Sequence, residues 1–223
     1  MSQIKNNINS IAKELCLHES KEKDKIRLVA VSKGQDHSKI REAFDAGQYI
    51  YGENYLQEAI KKQEDLKDLE IEWHFIGPIQ SNKCKLIAES FSWVQSVDRI
   101  KVANKLNDSL KNQTSLNICI QVNISNEDSK SGVKIDEINL LANHINDLDK
   151  LILRGLMAIP TNTNDTKTLK SEYKQLKLIY EVLRKKYPSI DTLSMGMSND
   201  YLLAAENGSN LVRIGSKIFG KRK

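Results

Sequence analysis

RLVAVSKGQDHSKIREAFDAGQYIYGENYLQEAIKKQEDL, residues 27–66, holds the fold in miniature. The β-branched run at 27–32 reads as a strand, and the helical period near 38–46 sets Ile40, Ala43 and Phe44 on one face. A second run at 48–51 and a second helix at 54–66, with Leu56, Ala59, Ile60 and Leu66 inward, repeat the pair. Strand and helix in strict alternation is the sequence sign of a parallel α/β sheet.

Downstream the rhythm persists. Strands are expected at 71–76, 92–96, 117–123, 152–157, 191–195 and 211–214. Ser81 is placed to cap a helix with Cys84, Ile87 and Ala88, and Asp98 to cap one with Ile100, Ala103, Leu106 and Leu110. Further helices fall at 135–148, 165–187, 199–207 and 216–220. Upstream, Ile4, Ile8, Ile11, Ala12 and Leu15 behind Ser2 give a leading helix over 3–17. Eight β–α units favour a closed barrel over an open doubly wound sheet, which usually carries about five or six strands. The expected fold is a single α/β domain over 1–223, a (β/α)8 TIM barrel with an extra N-terminal helix.

Composition narrows the function. The 223 residues are 39% hydrophobic and 28% charged, which suits a globular chain. No apolar run approaches the ~18 residues of a membrane helix, and Lys5, Lys13 and Glu14 break any signal-peptide core. Lys and Arg (34) exceed Asp and Glu (29) by only five, and 27 of the cations are scattered lysines. That is a solvated surface rather than a nucleic-acid stripe. Cys16, Cys84 and Cys119 lie far apart with no metal-ligand spacing, as in a cytoplasmic protein with reduced thiols. No metal site is expected.

In such a barrel, function sits where the strands end. Lys33 ends LVAVS, and period-2 alternation puts Val29, Val31 and Lys33 on the same side of the strand. Facing the interior, its ammonium would be poorly solvated, and the amine available to form a Schiff base. Facing outward, it only begins a loop. The last two strands end in SMGMSND and RIGS. Gly196 and Gly215 would let the backbone approach an anion, with Ser198 and Ser216 at helix starts as donors. Ordinary helix capping explains the same residues, and Asp200 would partly oppose a phosphate. A lysine and a phosphate cradle together suit an aldehyde that bears a phosphate, such as pyridoxal 5′-phosphate. Arg213 shares parity with Leu211, so it reaches either a pyridine nitrogen, if that nitrogen is unprotonated, or a buried salt bridge.

LVAVSK, YGENYLQE, WHFIGPIQSNK, QVNISNEDSKSGV, RGLMAIP, LSMGMSNDYLLA and VRIGSKIFGKR occur in that order. Together they resemble the pyridoxal phosphate homeostasis protein family, from about residue 27 to residue 222. Gly34, Tyr51 and Ser216 stand where Thr, Phe and Thr are usual. The resemblance implies a barrel similar to the N-terminal domain of alanine racemase, with the cofactor held as an internal aldimine on Lys33. It implies phosphate contacts from Ser198, Gly215 and Ser216, a ring-nitrogen contact from Arg213 and a ring-side contact from Asn54. His74 stands either at the mouth or as a satisfied core histidine. DSKSG (128–132) belongs to the family pattern, and from sequence it is only a polar loop in which Lys130 attracts anions.

The leading expectation is a non-enzymatic, monomeric binder with no catalytic residues. It would buffer pyridoxal phosphate and hand it to dependent apoenzymes, without nucleic-acid or membrane partners. A racemase of similar fold needs a second acid/base from an added domain, for which the length leaves no room. An amino-acid racemase or weak lyase using Lys33 alone is the alternative. A sugar-phosphate aldolase-like barrel and a nucleic-acid binder rank lower.

Overall fold

The computed structural model describes residues 2–18, 25–111, 115–127 and 129–220. Among these, eight parallel strands close into a barrel in chain order. They are β1 (Arg27–Val31), β2 (Ile50–Glu53), β3 (Glu72–Phe75), β4 (Trp93–Val97), β5 (Leu116–Val122), β6 (Leu151–Ala158), β7 (Thr192–Ser194) and β8 (Leu211–Ile214). β1 closes the ring on β8 in the register Val29↔Arg213 and Ala30↔Ile214. The helices are α1 (Gln3–Cys16), α2 (His37–Asp45), α3 (Leu56–Asp65), α4 (Cys84–Ser90) and α5 (Ile100–Ser109), then α6 (Ile138–Asn146), α7 (Thr166–Lys186), α8 (Tyr201–Glu206) and α9 (Ser216–Phe219).

The alternation that predicts the strands also decides what each face does. Ala30, Tyr51, Phe75, Val94, Ile118 and Ile120 point outward into the main core beneath the helices. Their strand neighbours fill the barrel, and many of these are polar: His74, Gln95, Ser194 and Arg213 are all buried. Where strands begin, Trp93 closes the barrel. His74 stacks on it at 5.0 Å, and the Arg27 and Arg154 guanidinium groups each lie 4.9 Å from its ring centroid.

α1 is held to this wall by Ile4, Ile8, Ile11 and Leu15, all buried, and Ser2 caps it by accepting from the Lys5 N–H. Asp165 likewise caps α7. Two expected caps are not made. α4 begins after Lys83 rather than Ser81, and α5 after Arg99 rather than Asp98. The Asp98 carboxylate accepts from the Arg99 guanidinium instead, which spends it before it can reach the helix amides. The helix expected over 135–148 is a 3₁₀ turn, Ile135–Glu137, running into α6.

Candidate cofactor site

A cavity of about 890 Å³ opens at the C-terminal ends of the strands, and Lys33, Asn54, Ser198, Arg213, Gly215 and Ser216 all line it. Each comes from the end of a strand or the loop after it, so the closure of β8 on β1 brings residues 33 and 213–216 to one mouth.

The segment carrying Lys33 is clamped from both sides. The buried Lys62, on the inward face of α3, donates to the Ser32 carbonyl at 2.7 Å and to Glu53 Oε1 at 2.7 Å. Glu58 Oε1 accepts from Lys62 at 2.5 Å and from the Gly34 N–H at 2.6 Å. The Ser32 hydroxyl donates to Glu53 Oε1 at 2.7 Å. Residues 32 and 34 are thus both fixed, and Lys33 stands between them at the cavity wall. Burial pushes the Glu53 carboxyl up, and the Lys62 ammonium opposes that rise. Sequence reading missed this clamp because a lysine in a charged helix looks like surface. The available signal was its helical spacing, three residues after Ala59 and four before Leu66.

Arg213 is 4% exposed and reaches the cavity from β8. Its Nη1 donates to Ser194 Oγ at 2.6 Å and its Nη2 to the Ala158 carbonyl at 2.9 Å, so neither bond is a salt bridge. Burial pushes its pKa down to about 10.

Beside these residues at the mouth are the loops after β7 and β8, the strands next to β1 in the ring. Ser216 opens α9, but Ser198 lies in the turn before Asp200, which precedes α8, so only one of the two serines begins a helix. The Asp200 carboxylate is engaged by the Tyr173 hydroxyl and by the Met197 N–H at 2.6 Å. It ties the loop down rather than facing the cavity with a free charge. Gly196 is required by packing: it has φ +92°, and a Cβ there would lie 2.6 Å from the Ala204 Cβ. Gly215 is also tightly placed, its Cβ position 3.0 Å from the Val31 carbonyl oxygen.

The DSKSG loop also has a structural role, Asp128 itself lying outside the described residues. Val133 pairs beside Val122, and Gln121 and Asn123 side chains donate to the carbonyls of Ser131 and of Glu127 and Lys130. Gly132, at φ +127°, lets the loop lie against β5, where a Cβ would meet the Asn123 nitrogen at 2.5 Å. Lys130 lines the cavity while bonded to Glu127 and to the Pro160 carbonyl. His74 is not at the mouth. It is fully buried below it, satisfied by Glu72 and Gln95.

The family model described as alanine racemase, N-terminal domain, matches residues 1–223. The pyridoxal phosphate homeostasis protein of Vibrio alginolyticus is 46% identical, covering 100% of this chain and 99% of its own. This chain belongs to that family. The family's Haemophilus influenzae protein is 44% identical over 98% of this chain and 96% of its own. PipY of Synechococcus elongatus PCC7942, solved with pyridoxal phosphate bound, is 32% identical with a TM-score of 0.88, covering 98% of this chain and 100% of that one. The homeostasis-family fold is therefore the alanine racemase-like barrel described above.

Proposed function

We propose that this chain binds pyridoxal 5′-phosphate at the barrel mouth as a Schiff base on Lys33, and buffers or delivers it without catalytic turnover. One observation carries the reading: a lysine, a buried arginine and two loops rich in N–H and hydroxyl donors converge on a single cavity. The cofactor that PipY holds brings an aldehyde, a phosphate and a pyridine nitrogen, one for each of these features.

The donor set fits the group. Lys33 condenses its amine with the aldehyde carbon, releasing water. Ser198, Ser216 and the Gly215 backbone serve the phosphate, and Arg213, a donor with no lone pair to offer, serves an unprotonated ring nitrogen. Asn54 lines the cavity, and its Oδ1 is buried with no hydrogen-bond partner, an acceptor left for a ligand to satisfy. Absence of turnover is supported by the relatives' designation as homeostasis proteins. It also fits two acid/base groups on the wall that are already engaged. Asp200 holds Tyr173, and the Tyr201 hydroxyl donates to Glu14 while accepting from Lys217. We place the protein in the cytoplasm as a monomer, with dependent apoenzymes as recipients. Three cysteines without disulfide partners agree with a reducing compartment. Among the described residues no helix is long and apolar enough to cross a membrane.

The test is spectroscopic. Adding pyridoxal phosphate should give a visible absorption that borohydride abolishes and that Lys33→Ala does not form. In deuterated buffer, neither D- nor L-alanine should exchange its α-proton. Exchange that disappears in Lys33→Ala would establish the racemase or lyase reading instead.

A further inference from the structure

Below the cavity, one hydrogen-bond chain crosses the whole barrel. Arg213 Nη1 donates to Ser194 Oγ at 2.6 Å, and Ser194 Oγ donates to Gln95 Oε1 at 2.6 Å. Gln95 Nε2 meets His74 Nδ1 at 2.7 Å, and His74 Nε2 meets Glu72 Oε1 at 2.7 Å. The four inner members, His74, Gln95, Ser194 and Arg213, are each at most 4% exposed, whereas the Glu72 side chain is 39% exposed where the strands begin.

The direction of every bond follows from its two ends. A carboxylate only accepts, so His74 carries a proton on Nε2; full burial disfavours a second one, which leaves a lone pair at Nδ1. That lone pair takes the Gln95 amide N–H, which turns Gln95 Oε1 toward Ser194. Ser194 then gives its proton to Gln95 and presents a lone pair to Arg213. Reversing one link would leave a buried donor facing a donor, at the cost of an unmade bond.

We propose that Glu72, His74, Gln95 and Ser194 are positioning residues that act through Arg213, fixing its guanidinium so that its remaining N–H groups face the cavity. The arrangement ties a buried cation to a distant carboxylate without setting that carboxylate beside the ligand. A neutral acceptor in the cavity, such as an unprotonated ring nitrogen, then meets a donor whose direction is already set. The proposal rests on the reading of the cavity as the pyridoxal phosphate site only for the identity of that acceptor.

Gln95→Leu cuts the chain in the middle without touching Arg213 or the cavity. Gln95→Glu restores acceptors to both neighbours, with His74 taking a second proton. In the ligand-free protein, nitrogen NMR should show wild-type His74 protonated on Nε2 only, and slowed rotation of the Arg213 guanidinium that Gln95→Leu releases. With pyridoxal phosphate, Gln95→Leu should bind about three- to tenfold more weakly, as one lost hydrogen bond implies, with a displaced absorption maximum. Gln95→Glu should recover most of both. A proton on Nδ1 of wild-type His74, or unchanged Arg213 rotation in Gln95→Leu, overturns the proposal. So does a Gln95→Leu variant with wild-type affinity and spectrum. Failure of the wild type to take up the cofactor would overturn the functional reading alone, since the two measurements on the ligand-free protein still decide the chain.

Discussion

Lys33 owes its place to residues that never touch the cavity. Lys62 is buried against two carboxylates and a carbonyl, and removing one partner of such a cluster leaves a charge without compensation. Lys62→Met is expected to cost roughly 3–5 kcal/mol in urea unfolding and to slow covalent capture of pyridoxal phosphate. Arg213→Glu should weaken binding and red-shift the bound cofactor, because a carboxylate favours a protonated ring nitrogen; an unchanged spectrum would show that Arg213 faces elsewhere. That all six proposed site residues meet at one cavity was legible because a barrel strand's C-terminal end is a position the sequence reveals. The ring-side role of Asn54 is implied by the family resemblance alone. The roles of Lys62 and Gln95 were not legible. Helical spacing marks Lys62 as inward, but what Lys62 and Gln95 bond to depends on which strand or helix lies opposite, and no local pattern encodes that.

At the scale of elements, periodicity located every strand and helix within a few residues, whereas capping failed where a competing partner was nearer. Asp98 is the clear instance: its neighbour Arg99 takes the carboxylate. α1, outside the eight repeated units, is tied to α9 by the Asn7 side chain, which donates to the Ile218 carbonyl at 2.9 Å, and by Lys217, which donates to Glu14 at 3.2 Å. Truncating its fully buried Ile11 to Ala should destabilise the protein by roughly 2–5 kcal/mol in urea unfolding. Since α9 begins at Ser216, the same variant should also loosen cofactor binding, whereas an effect on stability alone would uncouple α1 from the mouth.

The closed barrel buries polar side chains, among them His74, Gln95, Ser194 and Arg213, and His74 gives the molecule an acid limit. Burial holds the His74 pKa below its ordinary 6.5, and the bond from His74 holds Glu72 below the carboxylate range. Trp93, Gln95 and Glu72 surround the imidazole; the Glu72 carboxylate opposes the effect of burial, and the Arg27 charge adds to it. In the window below about 6.5 the unfolded chain binds the proton that folded His74 refuses, so stability must fall as pH falls. The slope can reach about 1.4 kcal/mol per pH unit. Melting temperatures from pH 7 to pH 5 should drop more steeply for the wild type than for His74→Asn, which lacks the titrating group; parallel curves would place the acid sensitivity elsewhere.

Net charge, the feature that first invites a nucleic-acid reading, plays no part in the proposed binding of the cofactor. Two of the 34 cations face the cofactor in the proposed complex, Lys33 through a covalent bond and Arg213 through its N–H groups. Attachment at Lys33 is tested by a mass spectrum of the protein after loading with pyridoxal phosphate, borohydride reduction and digestion. A pyridoxyl group on the peptide containing Lys33 is the predicted result, and a pyridoxyl group found solely on another lysine would contradict it.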